Sequence, residues 1–311
     1  MEHIRLGATD LEITELGIGA WQWGDERFWG YGRGYGENDV RAAMATILAS
    51  PVNFLDTAEL YGFGKSERLV GKFLDGQRAA LVIASKFFPF PWRVRRAQLG
   101  DALRGSLKRL GIAQLDLYQT HFPFPPLSIE TWMSAMADAV DAGLIRAVGV
   151  SNYDANQTRR AHDALAKRGI PLASNQVPYS LLNRNIEFGG TMQACRELNV
   201  TIIAYSPIAQ GVLSGKYTPE NLPPGLRRAR YGRELVTKAQ PLIGLMREIG
   251  QAHDGKTPAQ VAINWTICKG TVPIPGVKNV RQAQENIGAA GWRLTADEVA
   301  ALDKASEKIN R

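Results

Sequence analysis

Short apolar runs alternate with segments of helical periodicity along almost the whole chain. The runs are rich in Val, Ile, Leu and Tyr, as in LVIASK and TIIAYS. Continuous apolar runs of this length are typical of parallel strands that are covered on both faces. The pattern predicts eight strands, at Glu15–Gly19, Asn53–Thr57, Leu81–Lys86, Leu115–His121, Ala147–Ser151, Ala173–Val177, Thr201–Ser206 and Thr271–Pro275.

Each predicted strand is followed by a segment of helical spacing. Repeated strand–helix units predict a parallel sheet, and eight is the number of strands that closes into a barrel. The predicted helices are Asn38–Ala49, Ser66–Leu74, Gln98–Leu110, Ile129–Ala142, Asp154–Lys167, Gly190–Leu198, Lys238–His253 with Pro258–Cys268, Val280–Ala289 and a final one at Thr295–Ser306.

Two further segments complete the predicted architecture. His3–Ile13 precedes the first barrel strand and is predicted to form a small hairpin over the barrel floor. Ser206 to Thr237 follows the seventh strand as a loop of about thirty residues, and loops of this length are commonly functional. No linker divides the sequence. The prediction is an α/β fold, a single (β/α)8 TIM barrel over residues 1–311, with an N-terminal hairpin and a long loop after strand 7.

Two doubly wound domains are the rival fold. That fold usually carries a GxGxxG phosphate turn after its first strand. The nearest candidate, GYGRGYG at Gly30–Gly36, has glycine at every second position and lies in an aromatic loop. We interpret it as a flexible loop, which leaves the barrel as the favoured fold.

Composition excludes several classes of protein. The chain is 45% hydrophobic and 22% charged, which is ordinary for a globular protein and excludes a disordered chain or a coiled coil. No apolar run approaches the roughly 18 residues that span a bilayer. The opening MEHIRLGATD lacks the pattern of a secretory signal. We therefore expect a cytoplasmic protein without membrane association.

The formal charge of +7 allows two kinds of partner, a nucleic acid or a small ligand that carries phosphate. The basic residues are scattered, and no nucleic-acid motif accompanies them, so we expect no nucleic-acid partner. The two cysteines, Cys195 and Cys268, have no CxxC spacing and no His pair nearby. They predict neither a metal site nor a disulfide framework, and we expect both to be buried free thiols. One denser basic stretch contains Arg227, Arg228, Arg230 and Arg233.

Ionisable residues stand where three successive predicted strands end, which is the edge of a barrel that carries active sites. The second strand ends in Asp56 and is followed by Tyr61, the third ends in Lys86 and the fourth in His121. An ionisable residue there is costly unless it is used or paired. An ordinary ion pair between Asp56 and Lys86, and a rim role for His121, remain the alternatives. The next three strands deliver Ser151, Asn152, Gln176, Tyr205 and Ser206.

Seven segments, in this order, carry a family resemblance: NFLDTAELYGFGKSERLVGKFL, VIASKF, LDLYQTHFP, GLIRAVGVSNY, NQVPYSLLNR, AYSPIAQGVLSGKY and IPGVKNVRQAQENIGA. Through them the chain resembles the aldo-keto reductases over essentially its whole length, and among these the bacterial and plant pyridoxal-reductase-like group. The resemblance implies a (β/α)8 barrel, NADP(H) as cofactor and reduction of a small aldehyde or ketone. It also implies a catalytic tetrad on Asp56, Tyr61, Lys86 and His121.

These residue types suit that chemistry. Hydride addition to a carbonyl builds negative charge on oxygen, so a proton donor must stand beside it. We expect Tyr61 to be this acid, with its pKa lowered by the ammonium of Lys86. Asp56 would orient Lys86, and His121 would hydrogen-bond the substrate oxygen.

The resemblance also implies the cofactor contacts. Tyr205 would stack on the nicotinamide, and Ser151, Asn152 and Gln176 would bond its carboxamide. Lys278 would bind the 2′-phosphate, helped by free backbone N–H groups at the start of a helix. A solvated helix face is the alternative for Glu285 and Asn286, as it is for Lys278. The complete predicted set is Ala20, Trp21, Asp56, Ser151, Asn152, Gln176, Tyr205, Ser206, Pro207, Ile208, Gln210, Lys216, Gly276, Lys278, Gln282, Glu285 and Asn286.

Two rival functions are considered. A partner subunit resembling potassium-channel β subunits would share the fold and bind NADP, but no long N-terminal segment precedes the predicted hairpin. A barrel isomerase or lyase with Lys86 as a Schiff base would leave the C-terminal adenosine motif unused. Aromatic residues in three mouth loops predict an apolar entrance but do not identify the carbonyl substrate. The oligomeric state is not predicted.

Overall fold

The computed structural model describes residues 1–74, 76, 78 and 81–310, apart from the side chains of residues 308 and 310. Arg311, at the end of the predicted domain, lies outside these residues. Eight parallel strands pair in chain order, and a bridge between Gly19 and Gly276 brings the last strand back to the first. The predicted barrel is confirmed. Its strands are β3 (Gly17–Gly19), β4 (Phe54–Asp56), β5 (Val82–Phe87), β6 (Leu115–Thr120), β7 (Ile145–Ser151), β8 (Leu172–Pro178), β9 (Thr201–Tyr205) and β10 (Val272–Ile274).

Helices surround the barrel and bury one face against it. A large core between strands and helices includes the fully buried Trp23, Trp132 and Trp265. Two short 3-10 segments, Tyr61–Gly64 and Ala209–Ser214, lie in loops at the mouth. The helices are α1 (Glu37–Leu48), α2 (Lys65–Leu74), α3 (Gln98–Leu110), α4 (Ile129–Asp141), α5 (Ala155–Ala166), α6 (Asn185–Phe188), α7 (Thr191–Glu197), α8 (Arg227–Arg230), α9 (Arg233–Ala252), α10 (Pro258–Cys268), α11 (Val280–Ile287) and α12 (Ala296–Asn310).

The predicted N-terminal hairpin is confirmed, with antiparallel strands β1 (His3–Arg5) and β2 (Glu12–Thr14). Its turn lies against the start of the barrel strands, where the Gly7 amide donates to Thr201 Oγ1 at 2.7 Å. Gly7 has a φ of +57°, and a Cβ there would lie 2.5 Å from the Ala173 carbonyl oxygen. The hairpin closes the end of the barrel opposite the mouth. Leu6, Leu11 and Ile13 form one apolar cluster with Phe54, Ala84, Leu117, Ala147, Ala173, Ile203, Val272 and Ile274.

The region after β9 differs from the prediction. Helix α9 begins at Arg233 rather than Lys238, because Val236 is fully buried and extends the apolar face toward the N-terminus. The predicted bare loop Ser206–Thr237 is therefore shorter and contains the second 3-10 segment and α8. The final helix extends to Asn310 rather than Ser306. Cys195 is a buried free thiol as predicted, whereas Cys268 is only half-buried.

None of the described helices combines the length and apolar character needed to cross a lipid bilayer.

Candidate active site

A buried lysine forms the base of the site. Lys86, near the end of β5, is fully buried, and its Nζ donates to Asp56 Oδ1 at the end of β4. The same Nζ lies 3.0 Å from the Thr57 carbonyl oxygen and 3.2 Å from the phenolic oxygen of Tyr61. The 3-10 segment that follows β4 carries Tyr61 into this position. Asp56 and Lys86 therefore form an ion pair, and Lys86 Nζ of this pair contacts the Tyr61 phenol.

Two glutamines complete the surroundings of the Asp56 carboxylate. Its Oδ2 accepts from Gln176 Nε2 at 2.8 Å and from Gln119 Nε2 at 3.2 Å. A buried carboxylate with three donors is held in one orientation, and so is the ammonium that it contacts. Gln119 was not predicted as a site residue, although a glutamine inside the apolar run LDLYQT was a usable signal. The amide nitrogen of Gln176 is engaged here rather than free for a carboxamide.

Burial determines the ionisation of the phenol. It raises the pKa of Tyr61 well above 10, and the nearby Asp56 and Tyr205 add to the shift. The predicted lowering of this pKa is wrong, since removing the phenol from water outweighs the attraction of the ammonium. Burial also lowers the pKa of Lys86. Tyr61 is thus a neutral phenol that retains its proton at neutral pH.

His121 faces Tyr61 edge-on, with ring centroids 5.7 Å apart and planes at 81°. Burial, and secondly the charge of Lys86, lower the pKa of His121 well below 6.5. The imidazole is therefore neutral at neutral pH. Its Nδ1 is buried and has no hydrogen-bond partner within the described residues. A histidine with a purely structural role at the rim would be expected to have such a partner.

A cavity of about 930 Å³ opens above these groups. Ala20 does not line it: the residue is fully buried, its amide donates to the Asp56 carbonyl oxygen at 2.8 Å and its carbonyl accepts from Ser66 Oγ. Lys86, which is fully buried, is likewise not among the described residues that line the cavity. The remaining predicted residues line the cavity together: Trp21, Asp56, Tyr61, His121, Ser151, Asn152, Gln176, Tyr205, Ser206, Pro207, Ile208, Gln210, Lys216, Gly276, Lys278, Gln282, Glu285 and Asn286.

Hydrogen bonds through Asn152 connect Tyr205, at the end of β9, with the backbone of His121. The Tyr205 hydroxyl donates to Asn152 Oδ1 at 2.9 Å, and Asn152 Nδ2 donates to the His121 carbonyl oxygen at 3.0 Å. Ser151 Oγ donates to the Gln176 carbonyl oxygen at 2.8 Å. Asn152 adopts a φ of +62°, a left-handed conformation that asparagine tolerates better than most residues. These contacts hold Tyr205 and Asn152 in place among the residues that line the cavity.

An aromatic and cationic cluster forms the far end of the cavity. Lys278 Nζ donates to the Trp29 carbonyl oxygen at 2.8 Å and lies 4.3 Å from the centre of the Tyr35 ring. The guanidinium of Arg227 lies 5.2 Å from the centre of the Trp29 ring. Burial, and then the charges of Arg227 and Lys216, lower the pKa of Lys278 to about 8. Lys278 is therefore not a solvated surface lysine. Trp29 was predicted only as a mouth-loop aromatic.

The start of α11 also differs from the prediction. Gln282 Oε1 accepts from the backbone amide of Lys278 at 2.9 Å, and Asn279 caps the helix by accepting from the Gln282 amide at 3.1 Å. These N–H groups are thus engaged rather than free. Asn286 is buried and donates to the Gly276 carbonyl oxygen, so it is not part of a solvated face. Glu285 accepts from Thr257 Oγ1 at 2.9 Å.

The far end suits a dinucleotide. Four buried polar atoms there have no partner among the residues that the structure describes: Gln22 Oε1, Trp29 Nε1, Gln210 Oε1 and Arg227 Nε. A buried polar group without a partner is costly, so these atoms are suited to a polar ligand. Three cations, Lys216, Arg227 and Lys278, line the same region and can face phosphate. The residues present fit a phosphate-bearing cofactor of the NADP type.

Comparisons with known proteins agree with this geometry. The model of the Aldo/keto reductase family matches residues 15–307. The chloroplastic pyridoxal reductase of Arabidopsis thaliana is 41% identical, over 99% of this chain and 86% of that protein. The aldo-keto reductase yakc [NADP(+)] of Schizosaccharomyces pombe is 34% identical, over 88% and 85%. The crystal structure of the thermostable aldo-keto reductase Tm1743 is similar with a TM-score of 0.79, at 31% identity over 98% and 100% of the two chains.

Proposed function

Because the chain belongs to the aldo/keto reductase family, we propose that it reduces an aldehyde or ketone to the alcohol with NADPH as the hydride donor. The observation that carries the proposal is the Tyr61 hydroxyl, which lines the cavity and lies 3.2 Å from the Nζ of the fully buried Lys86. Family membership itself makes the protein an oxidoreductase for small carbonyl compounds. The assignment of NADPH and of a Tyr61 acid is ours.

Residues of the far end would hold the cofactor. Lys216, Arg227 and Lys278 would face its phosphates, and Tyr205 would cover the nicotinamide. Asn152 and Ser151 would lie beside the carboxamide. When bound, NADPH supplies the hydride, which is chemistry that the protein only positions. The Schizosaccharomyces pombe relative carries NADP(+) in its name.

The chain supplies the proton. Tyr61 keeps its proton until negative charge develops on the carbonyl oxygen, because its pKa is raised by burial. At that moment the phenol donates, and the ammonium of Lys86 stabilises the tyrosinate that forms. Asp56 and its two glutamine donors hold the ammonium in place. Burial of Lys86 and Asp56 excludes water, which strengthens the attraction between tyrosinate and ammonium.

His121 would orient the substrate. A neutral imidazole can donate one hydrogen bond to the carbonyl oxygen without competing with Tyr61 for the proton. Its ring stands perpendicular to the phenol at the same side of the cavity. We therefore assign His121 to positioning and Tyr61 to proton transfer.

An aromatic aldehyde is the substrate class that we propose first. The ring of His121 stacks on Phe122 at 5.1 Å, and both side chains line the cavity that Tyr61 also lines; Phe122 stacks in turn on Phe124 at 4.8 Å. Flat apolar surfaces favour flat ligands. Pyridoxal, the substrate in the name of the Arabidopsis relative, is such an aldehyde.

A panel of carbonyl compounds tests the proposal. Pyridoxal, benzaldehydes, aliphatic aldehydes and ketones would be followed at the NADPH absorbance band, with NADH alongside. We expect aldehyde-dependent loss of NADPH and recovery of the alcohol. NADPH binding without turnover of any carbonyl would contradict the proposal and would favour a binding subunit. The relatives reported above are named as reductases, and none of their names refers to a channel subunit.

A further inference from the structure

Two arginines flank an exposed aromatic ring on the Tyr61 side of the cavity. The Phe63 side chain is 71% exposed and follows Tyr61 by two positions. Arg68 Nη2 donates to the Phe63 carbonyl oxygen at 3.3 Å, and the Arg27 guanidinium lies 6.0 Å from the centre of the Phe63 ring. All three residues line the same cavity as Tyr61. A ligand that reaches Tyr61 would therefore pass close to two positive charges.

Within the described residues neither arginine is bonded to a carboxylate, although the charge of Glu26 also acts on Arg27. The adjacent carboxylate, Glu26, is bonded to Lys65. In the part of the chain that the structure describes, Arg27 and Arg68 form no ion pair. Two guanidinium groups without carboxylate partners, at the rim of a cavity, produce a positive potential that attracts anions. Guanidinium is also the side chain whose geometry matches carboxylate and phosphate.

These arginines are separate from the cations at the far end. Trp21 stacks on Tyr61 with ring centroids 5.9 Å apart and contacts Trp29 edge-on at 5.4 Å. The cations Lys278 and Arg227 lie 5.3 Å and 5.2 Å from the centre of the Trp29 ring, so Trp21 and Trp29 stand between them and Tyr61. Arg27 and Arg68 lie at Phe63, on the Tyr61 end. The arrangement assigns one group of cations to the cofactor and leaves the other for the compound that is reduced.

We propose that Arg27 and Arg68 bind the anionic group of the substrate, so that the protein prefers aryl aldehydes carrying a carboxylate or a phosphate monoester. Phe63 offers its ring face to the aryl group between the two charges. This inference rests on the proposed function, because it names the class of aldehyde that Tyr61 would protonate. It concerns specificity, and Arg27 and Arg68 take no part in proton transfer.

Three para-substituted aldehydes test the inference. 4-Carboxybenzaldehyde and 4-formylphenyl phosphate carry the two kinds of anion, and 4-methylbenzaldehyde has the same ring without charge. We expect the parent protein to have its lowest KM for one of the two anionic aldehydes. That aldehyde shows whether the site prefers a carboxylate or a phosphate monoester. The double variant Arg27→Gln/Arg68→Gln should raise this KM about ten- to a hundredfold, the range of a lost charge-assisted contact. The ratio of KM values between anionic and neutral aldehydes is the readout.

A matched control separates the proposed contact from general changes in charge. Arg33 lies in the same loop and donates to the Glu26 carbonyl oxygen, but it is not among the described residues that line the cavity. Arg33→Gln removes the same charge and should leave the KM ratio unchanged. An unchanged ratio in the double variant would overturn the inference. So would an equal loss for all three aldehydes accompanied by weaker NADPH binding, because the arginines would then serve the cofactor.

A binding measurement distinguishes failure of this inference from failure of the proposed function. Calorimetry with the product-like 4-(hydroxymethyl)benzoate and with 4-methylbenzyl alcohol requires no turnover. If the parent protein reduces no aldehyde but binds the benzoate more tightly, and the double variant loses that difference, the anion site stands and the reductase proposal fails. Equal binding of the two alcohols to the parent protein would overturn the anion site alone.

Discussion

At the scale of the residue, the site depends on two opposed shifts of pKa. Burial raises the pKa of Tyr61 and lowers the pKa of Lys86, because in both groups it disfavours the charged form. The Asp56 carboxylate acts against this on Lys86, since it favours the ammonium. The phenol keeps its proton, and Lys86 Nζ lies 3.2 Å away, where the proposed proton transfer would require a positive charge.

Tyr61→Phe removes the hydroxyl and preserves the ring. We expect turnover to fall by about 10²- to 10⁴-fold, the usual contribution of a positioned acid, while the affinity for NADPH is retained. Rate measurements and a fluorescence titration of the cofactor check both parts. Tyr31→Phe, in the first loop, is the matched control and should behave as the parent does. A Tyr61→Phe rate above about a tenth of the parent rate would assign the proton donor elsewhere.

Lys86→Met separates the reductase from a Schiff-base enzyme. In the proposed mechanism the ammonium acts only by charge, so the variant should lose turnover and the parent should form no covalent bond to its substrate. Borohydride trapping with an aldehyde, followed by peptide mass mapping, checks this. A reduced adduct on Lys86 would contradict the mechanism. Circular dichroism of the variant establishes that the loss is not one of folding.

At the scale of the element, the start of α11 is tied to the loop after β3. The bond from Lys278 to Trp29 joins residues 249 positions apart, and Arg227 of α8 contacts the same indole. Three separate segments therefore meet around one ring. Since the lysine is half-buried and lies near two other cations, its pKa is lowered to about 8.

This shift predicts a pH-dependent preference for NADPH. The pKa of Lys278 is depressed, so its ammonium is present below about pH 8 and is lost as pH rises through that value. NADPH should therefore bind more weakly at pH 9 than at pH 7, whereas NADH, which lacks the 2′-phosphate, should change little. Lys278→Ala should weaken NADPH about ten- to a hundredfold at pH 7. Titrations of both cofactors across this range measure the effect.

Lys278→Arg is the matched variant for that experiment. An arginine does not lose its charge in this range, so NADPH binding should become independent of pH between 7 and 9. Equal losses for NADPH and NADH in Lys278→Ala would reject the assignment to the 2′-phosphate. A smaller loss in Lys278→Ala that grows when Arg227 is removed as well would show that the two cations share the phosphate.

The residues at the strand ends were predictable from the sequence, whereas the burial of their side chains was not. Asp56, Lys86 and His121 follow apolar runs in the sequence, and parallel strands bring such ends to one edge. The pKa of Tyr61 depends on how far the phenol lies from water, which no spacing of residues contains. The contact of Lys278 with Trp29 depends on packing between distant loops. The start of α9 was missed because the polar residues around Val236 conceal its buried position.

At the scale of the whole molecule, the two ends of the barrel have different roles. The mouth carries the charged and polar groups, and the hairpin closes the other end with leucine and isoleucine side chains. In (β/α)8 barrels the end opposite the mouth serves stability rather than chemistry. Changes in the hairpin should therefore alter the free energy of unfolding and leave the rate of the reaction unaffected.

Gly7→Ala tests this division. The φ of +57° disfavours any side chain, and the new Cβ would lie 2.5 Å from a backbone oxygen that cannot move freely. We expect a loss of about 2 to 4 kcal/mol in the free energy of unfolding, from strain and overpacking together. Gly143→Ala has a φ of +68° and open space, so it should cost only about 1 to 2 kcal/mol. Urea unfolding measures both, and a reduced kcat in folded Gly7→Ala would contradict the division.

Closure of the barrel has a consequence for biosynthesis. The Trp23 indole donates to the Val277 carbonyl oxygen at 2.9 Å, and these residues are 254 positions apart. A ribosome that adds about 5 to 20 residues per second needs roughly 13 to 50 s to make the second partner after the first. Throughout that interval β3 has a free edge, and a free edge can pair with other chains. The barrel therefore cannot close around β3 until β10 has been synthesised and has left the ribosome.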